Sequence, residues 1–182
     1  MQEVINIKKR RNQIISPEFD GIKYVVQAIG RDEYRDVLMH VFKSENKIVC
    51  TDGRRLHSFK SDFFKDYEDG LYRVVKNSAK EVFLYLNKEP CGKYPEYQSV
   101  IPKDYNAYKK ISLKKSQAFF DINYAMVIRS LNFQNTLNLR YFKDVCLLAT
   151  ECFVSNIEHK AVIFTGSNGD VESVLMVMMA EV

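Results

Sequence analysis

Twice along these 182 residues the pattern of apolar and polar side chains runs through one order: a short strand, a helix, then about three strand-like runs. A repeated supersecondary unit must bury two equivalent apolar faces, which narrows the fold more than any single motif. In the first copy, residues 3–7 read as a short strand ahead of the basic block. Ser16 ahead of Pro17 and Glu18 predicts a helix start, with Ser as N-cap and Pro at the first helical position. Phe19, Ile22, Val26 and Ile29 then share one helical face, and Gly30 stands where a C-terminal cap belongs. Strands are expected over 37–42 and 47–50, joined by the polar Lys43-Ser44-Glu45-Asn46. Asp52-Gly53 between two apolar runs is a strong hairpin signal and leads into a strand over 55–60. Residues 61–69 read as an acidic, polar loop and 70–75 as a strand. A short helix is expected next, capped by Asn77 or Ser78, with Val82, Phe83 and Leu86 inward.

Residues 88–107 carry three of the four prolines and little periodicity, as a connector would. The second copy opens with a strand over 108–113. A helix over about 115–131 follows, with Phe120, Tyr124, Val127 and Leu131 on one face. Strands are expected over 137–142, 145–151, 159–165 and 173–180, the last preceded by the turn Gly166-Ser167-Asn168-Gly169-Asp170. The fold class is therefore α+β. One domain is expected, built of two halves, about 1–87 and 108–182.

Several chemistries are set aside by the same reading. No run of about 18 apolar residues is present to span a membrane, and residues 1–8 lack a signal-peptide core, so a cytoplasmic protein is expected. Cys50, Cys91, Cys146 and Cys152 show no C-x-x-C spacing and read as reduced thiols. His40, His57 and His159 have no nucleophile or carboxylate at a spacing that predicts a site. Asp66, Glu68 and Asp69 are clustered without a histidine, and 166–170 lacks the Gly-Lys-Ser/Thr of a phosphate-binding loop. No catalysis, metal or cofactor is expected. The net charge is +4. Its concentration in Lys8-Lys9-Arg10-Arg11 and in Lys109, Lys110, Lys114 and Lys115 fits either a solvated face or a phosphate-facing one.

Three segments resemble one family. Thr51-Asp52-Gly53-Arg54-Arg55-Leu56 resembles the Thr-Asp-Gly-His-Arg-Leu signature of the bacterial DNA polymerase III beta subunit, the replication sliding clamp, with Arg54 in place of His. Tyr94-Pro95-Glu96-Tyr97, ending in Ile101-Pro102, is similar to the segment between that family's middle and last domains. Val174-Leu175-Met176-Val177-Met178 resembles its terminal strand, with Val177 in place of Pro. The three stand in the family's order. A usual clamp chain has three domains, and this one has room for about one and a half.

The resemblance implies a clamp-like fold, with helices on one face of a curved antiparallel sheet. It also implies a noncatalytic processivity factor of DNA replication. In the family these motifs line an apolar groove that receives short peptides from replication proteins. Carried over, Thr51, Gly53, Arg54, Arg55 and Leu56 form one wall, Pro95, Ser99 and Val100 another, and Val174, Leu175, Met176, Val177 and Met178 the floor. Clamp helices touch duplex DNA without reading sequence, which makes Lys8, Lys9, Arg10, Arg11, Lys23, Lys114, Lys115 and Arg129 the candidate contacts. A ring needs enough repeat units to enclose a duplex, so to form one a chain this short would have to assemble from several copies as a homo-oligomer. The alternative is a clamp-fold interaction module that binds peptides and never encircles DNA.

Overall fold

The computed structural model describes residues 2–9, 16–89, 92–105, 107–114, 119–131, 135–155 and 161–179. Arg10, Arg11, Lys115, Cys91 and His159 lie outside the described residues. The chain divides into two compact units, Met1–Pro95 and Glu96–Val182. No helix among the described residues is long and apolar enough to cross a membrane.

The first unit runs β1 (Val4–Lys8), α1 (Pro17–Val26), β2 (His40–Ser44), β3 (Lys47–Thr51), β4 (Arg55–Lys60), β5 (Gly70–Asn77) and β6 (Glu81–Leu86). Its antiparallel strands lie in the order β1-β6-β5-β2-β3-β4. α1 begins as the sequence predicts: the Ser16 side chain accepts from the Phe19 N–H at 3.2 Å and Pro17 opens the first turn. The helix packs chiefly on β3 and β4, burying Phe19, Gly21, Ile22, Tyr24, Val25 and Val26. Gly21 meets the ring of Phe59 so closely that a Cβ would stand 2.2 Å from Cδ1.

The second unit runs β7 (Tyr108–Ser112), α2 (Phe120–Ile128), β8 (Asn135–Thr136), α3 (Leu139–Val145), β9 (Glu151–Ser155), β10 (Val162–Thr165), β11 (Val171–Leu175) and β12 (Met178–Met179). Its main sheet has the order β11-β10-β9-β7, and β12 pairs with β8. Val127, Leu137, Phe142, Val145, Phe164 and Leu175 form the middle of its core. Asn123 ties α2 to the end of β7: its Oδ1 accepts from the Lys114 N–H at 3.0 Å and its Nδ2 donates to the Lys114 carbonyl at 2.9 Å.

The repeat is present, with one rearrangement. In the second unit the strand before the helices pairs directly with the first strand after them, β7 with β9. In the first unit the β5–β6 hairpin occupies that place, so β1 pairs with β6 and β2 with β5. Five elements differ from the sequence reading. The expected short helix after Ser78 is β6, where Val82, Leu84 and Leu86 are buried and Phe83 is not, the alternation of a strand. The strand expected over 137–142 is largely α3, because Asn138 caps it by accepting from the Arg140 and Tyr141 N–H groups. The strand expected over 145–151 is therefore the end of α3 and a turn. Residues 37–39 belong to a 3-10 turn, Glu33–Met39, capped by Asp32, and the supposed loop after Lys60 holds another, Asp62–Asp66.

Candidate functional site

In the first unit the site residues gather at the turn between β3 and β4. The register Thr51↔Leu56 leaves residues 52–55 to reverse the chain, with Gly53 at φ +85°, a conformation that favours glycine. Asp52 organises the turn. Its Oδ1 accepts from the Arg54 and Arg55 N–H groups, each at 3.0 Å, and its Oδ2 takes the Arg55 Nε at 3.0 Å. Thr51 Oγ1 donates to the Arg55 carbonyl at 2.7 Å and accepts from the Gly53 N–H at 3.1 Å. Arg55 itself is buried, and its Nη2 donates to the Gln27 carbonyl at the end of α1, where the helix dipole favours a cation.

This geometry sorts the residues of the motif. Thr51, Asp52 and Arg55 lock the turn to the helix, and Leu56 is buried. Gly53 and Arg54 are the ones left facing solvent. Asp52→Ala removes an acceptor from two backbone donors and leaves the buried Arg55 without its carboxylate. It should cost about 2–4 kcal/mol in urea denaturation. A loss below ~1 kcal/mol would show that the turn does not depend on this carboxylate.

The adjacent His57 is fully buried, stacked on Tyr24 with ring centroids 4.6 Å apart and planes 18° apart. Its Nδ1 lies 2.9 Å from the Tyr24 carbonyl, so Nδ1 carries the proton. Nε2 is buried with no hydrogen-bond partner. Burial, with a smaller contribution from Arg55, pushes its pKa down to about 4, against the opposing Tyr24 hydrogen bond and Asp52. His40 is likewise held inside, between the Asp36 carbonyl and the Asn87 amide. Both are structural residues of the first unit.

Sequence reasoning missed Lys43, which is 2% exposed on β2. Its Nζ donates to the Tyr67 carbonyl at 2.5 Å and to Asp69 Oδ1 at 2.6 Å, at the base of a cleft of roughly 530 Å³. Asp69 belongs to the acidic cluster the sequence does show, and its partner sits 26 residues upstream, where no local pattern reveals it. Pro95, at the end of this unit, is exposed beside Tyr94, which stacks on Phe42 at 4.9 Å.

In the second unit, Ser99 and Val100 sit on the 3-10 turn Tyr97–Val100. Ser99 Oγ donates to the Glu96 carbonyl at 2.7 Å, and Val100 is exposed. Val174 and Leu175 end β11 opposite Ile163 and Val162, and both are buried. The strand then breaks. Met176 is 45% exposed and Met178 is 41% exposed, while Val177 packs against the core. The tail thus alternates between a buried anchor and an exposed pair of thioethers.

The candidate DNA contacts are scattered. Lys8 pairs with Glu81 at 3.4 Å, and Lys23 Nζ donates to Asn77 Oδ1 at 2.5 Å and to the Ser78 carbonyl. Lys9 is exposed. Lys114 Nζ lies 4.9 Å from the centre of the Phe119 ring, and Arg129 is exposed at the end of α2. Beside Lys23 on α1 stand Glu18 and Asp20, and α2 exposes Asp121. Among the described residues no group of three His, Cys, Asp or Glu is placed to hold a metal. Burial raises the thiol pKa of Cys50, and raises Cys146 and Cys152 to about 12, so none of these thiols is a nucleophile at neutral pH.

No sequence-family profile matches this chain, and no curated protein does. Solved structures do match. The Pseudomonas aeruginosa DNA polymerase sliding clamp aligns with a TM-score of 0.58 at 13% identity, covering 97% of this chain and 66% of that one. The Helicobacter pylori beta clamp bound to a DNA ligase peptide aligns with a TM-score of 0.57 at 14% identity, covering 98% and 66%. The Bartonella birtlesii sliding clamp, DNA polymerase III subunit beta, bound to griselimycin aligns at 0.56 and 16%, covering 97% and 66%. The fold is that of sliding clamps, and the chain spans about two thirds of their length.

Proposed function

We propose that this chain is a noncatalytic clamp-fold protein of DNA replication, a cytoplasmic processivity factor that docks short peptides of partner proteins. The observation that carries the reading is the clamp fold over nearly the whole chain, with three clamp-like motifs in the family's order along it. The proposed peptide-contacting residues are the exposed ones: Gly53, Arg54 and Pro95 in the first unit, and Ser99, Val100, Met176 and Met178 in the second. Thr51, Arg55, Leu56, Val174, Leu175 and Val177 act by holding these in place. Methionine suits the task, since a flexible, polarizable side chain can repack around different Leu or Phe anchors.

The test is binding of a labelled clamp-binding peptide by fluorescence polarisation. Met176→Glu places a charge where an apolar anchor would seat, and should weaken binding by at least about tenfold while leaving the melting temperature within a few degrees. Unchanged affinity would remove this surface from the proposal.

A second reading is favoured by the helix surfaces. The outward sides of α1 and α2 carry a half-buried Lys23 and an exposed Arg129 against a half-buried Glu18 and an exposed Asp20 and Asp121, which is a poor lining for phosphates. On this reading the protein docks peptides without encircling DNA. Light scattering with circular and with linear duplex separates the two. A processivity factor stays on the circle and slides off the open ends, whereas an adaptor is retained on neither.

A further inference from the structure

Two guanidinium groups stand at the tip of the β3–β4 turn without a partner in the fold. One belongs to Arg54. The other belongs to Arg35, in the 3-10 turn ahead of β2 and outside the motif. Asp32 caps that 3-10 turn, its Oδ1 accepting from the Tyr34 N–H at 3.1 Å. The backbone then leaves the helical region at Arg35, with φ −124° and ψ 58°. Beyond this kink Arg35 Nη1 lies across Gly53, 3.4 Å from the point where a Cβ would stand. Arg35 and Arg54 are both exposed, and among the described residues no carboxylate lies within ion-pairing distance of either. The other donors of the turn are spent. The N–H groups of Gly53, Arg54 and Arg55 go to Thr51 and Asp52, and the Arg55 guanidinium goes to Asp52 and the Gln27 carbonyl.

We propose that Arg35 and Arg54 read one carboxylate of the docked peptide, an Asp or Glu side chain beside its apolar anchor. This rests on the peptide-docking reading and adds a charge requirement to it. A planar guanidinium meets a carboxylate through two parallel N–H···O bonds, and two such groups at one turn fix where along the peptide the charge must stand. A chain-terminal carboxylate or a phosphate is the poorer occupant. Both are well held by nests of backbone N–H groups, and here the N–H groups of residues 53–55 already have acceptors. Asp32 and Asp36, exposed on the same 3-10 turn, offset part of the positive charge, which suits a singly charged group better than a doubly charged one.

The test is fluorescence polarisation of the full chain with short labelled peptides that share Leu and Phe anchors. They carry Asp, Asn or Lys at each flanking position in turn. At one flanking position Asp should bind about tenfold tighter than Asn, and Lys more weakly than Asn. The preference should shrink severalfold from low to high salt, because both guanidinium groups are exposed. Arg35→Gln and Arg54→Gln should each bring the Asp-to-Asn ratio below about threefold, and the double substitution should bring it to about one. Arg54→Glu should turn the preference toward Lys. Melting curves check that each variant folds. Should one fail, Arg35→Lys or Arg54→Lys replaces it, keeping the charge but losing the planar fork, and the ratio should still fall. Peptides that bind with no preference for Asp at any position overturn the proposal and leave the docking reading standing. Failure of every peptide to bind removes both. A preference that survives the double substitution overturns the proposal by placing the carboxylate elsewhere. Phosphoserine binding more than about tenfold tighter than Asp at the preferred position overturns it too, and assigns the pair to phosphate.

Discussion

Gly21→Ala should destabilise the protein by about 2–4 kcal/mol, although alanine in a helix interior ordinarily gains up to about 1 kcal/mol over glycine. The reversal comes from Phe59. A Cβ at Gly21 would stand 2.2 Å from Cδ1, 2.3 Å from Cε1 and 2.5 Å from Cγ of that ring. The ring cannot easily retreat, being 3% exposed and held edge-on against Phe64 with centroids 6.1 Å apart. Overpacking of this kind forces side chains off their rotamers or moves the backbone, at a cost of roughly 1–3 kcal/mol and at times more. Here it displaces α1 from β4. Urea denaturation measures the loss. In a Phe59→Leu background the same substitution should cost less than in the wild type, because the two residues share one contact. A stabilising Gly21→Ala would mean that helix and strand pack elsewhere.

Stability should fall by about 3 kcal/mol as the pH is lowered from about 6.5 to about 4, through His57 alone. The folded protein holds this imidazole neutral down to about pH 4, first because it is buried. The unfolded chain protonates it near its ordinary value of 6.5. Between those two values the unfolded state therefore binds more protons, and each step downward in pH favours it. Above about 6.5 the contribution is complete, and below about 4 it is gone. Carboxylates whose pKa is lowered in the fold, Asp62 by its hydrogen bond to Lys65 and Glu81 by that to Lys76, titrate in the unfolded chain near 4. Measurements between about pH 5.5 and 6.5, above the range in which these carboxylates titrate, thus report mainly on the histidine. Urea midpoints across that range should slope steeply for the wild type and much less for His57→Phe, which keeps a ring against Tyr24. Equal slopes would show that His57 is solvated in the folded protein.

What could be seen in the sequence is what local chemistry decides. Asp52-Gly53 specifies a reversal whatever surrounds it, and Ser16-Pro17 a helix start; both are where they were expected. The clamp-like α+β fold followed from the repeat and the motif order. The misread elements are those where two periods compete over a few residues. Val82, Phe83 and Leu86 fit a helical face, but Leu84 is buried too, and β5 supplies the pairing that makes the segment a strand. In 137–142 the deciding signal was present in Asn138, whose cap starts α3. Of the candidate site, the motif pointed to the right turn without dividing it into inner and outer residues. Nothing local tells that Arg55 reaches the Gln27 carbonyl 28 residues upstream, or that Leu175 is core while Met176 faces outward.

The β5–β6 hairpin that separates β1 from β2 also dictates when the first unit can be completed. Val4 pairs with Tyr85 and Lys8 with Glu81, so within this unit the earliest strand is the last to find its neighbour. At about 5–20 residues per second, a ribosome needs some 4–16 seconds to deliver the partner of Val4 after that residue is added. Throughout that interval α1, β2, β3 and β4 can assemble through short-range contacts while β1 trails unpaired. Closing a chain segment this long raises the contact order of the first unit and slows its final step. The second unit pairs Tyr108 with Ser155, a shorter span. The half made first is therefore the one with the longer loop to close, and its unpaired edge is the segment a nascent-chain chaperone would have reason to hold.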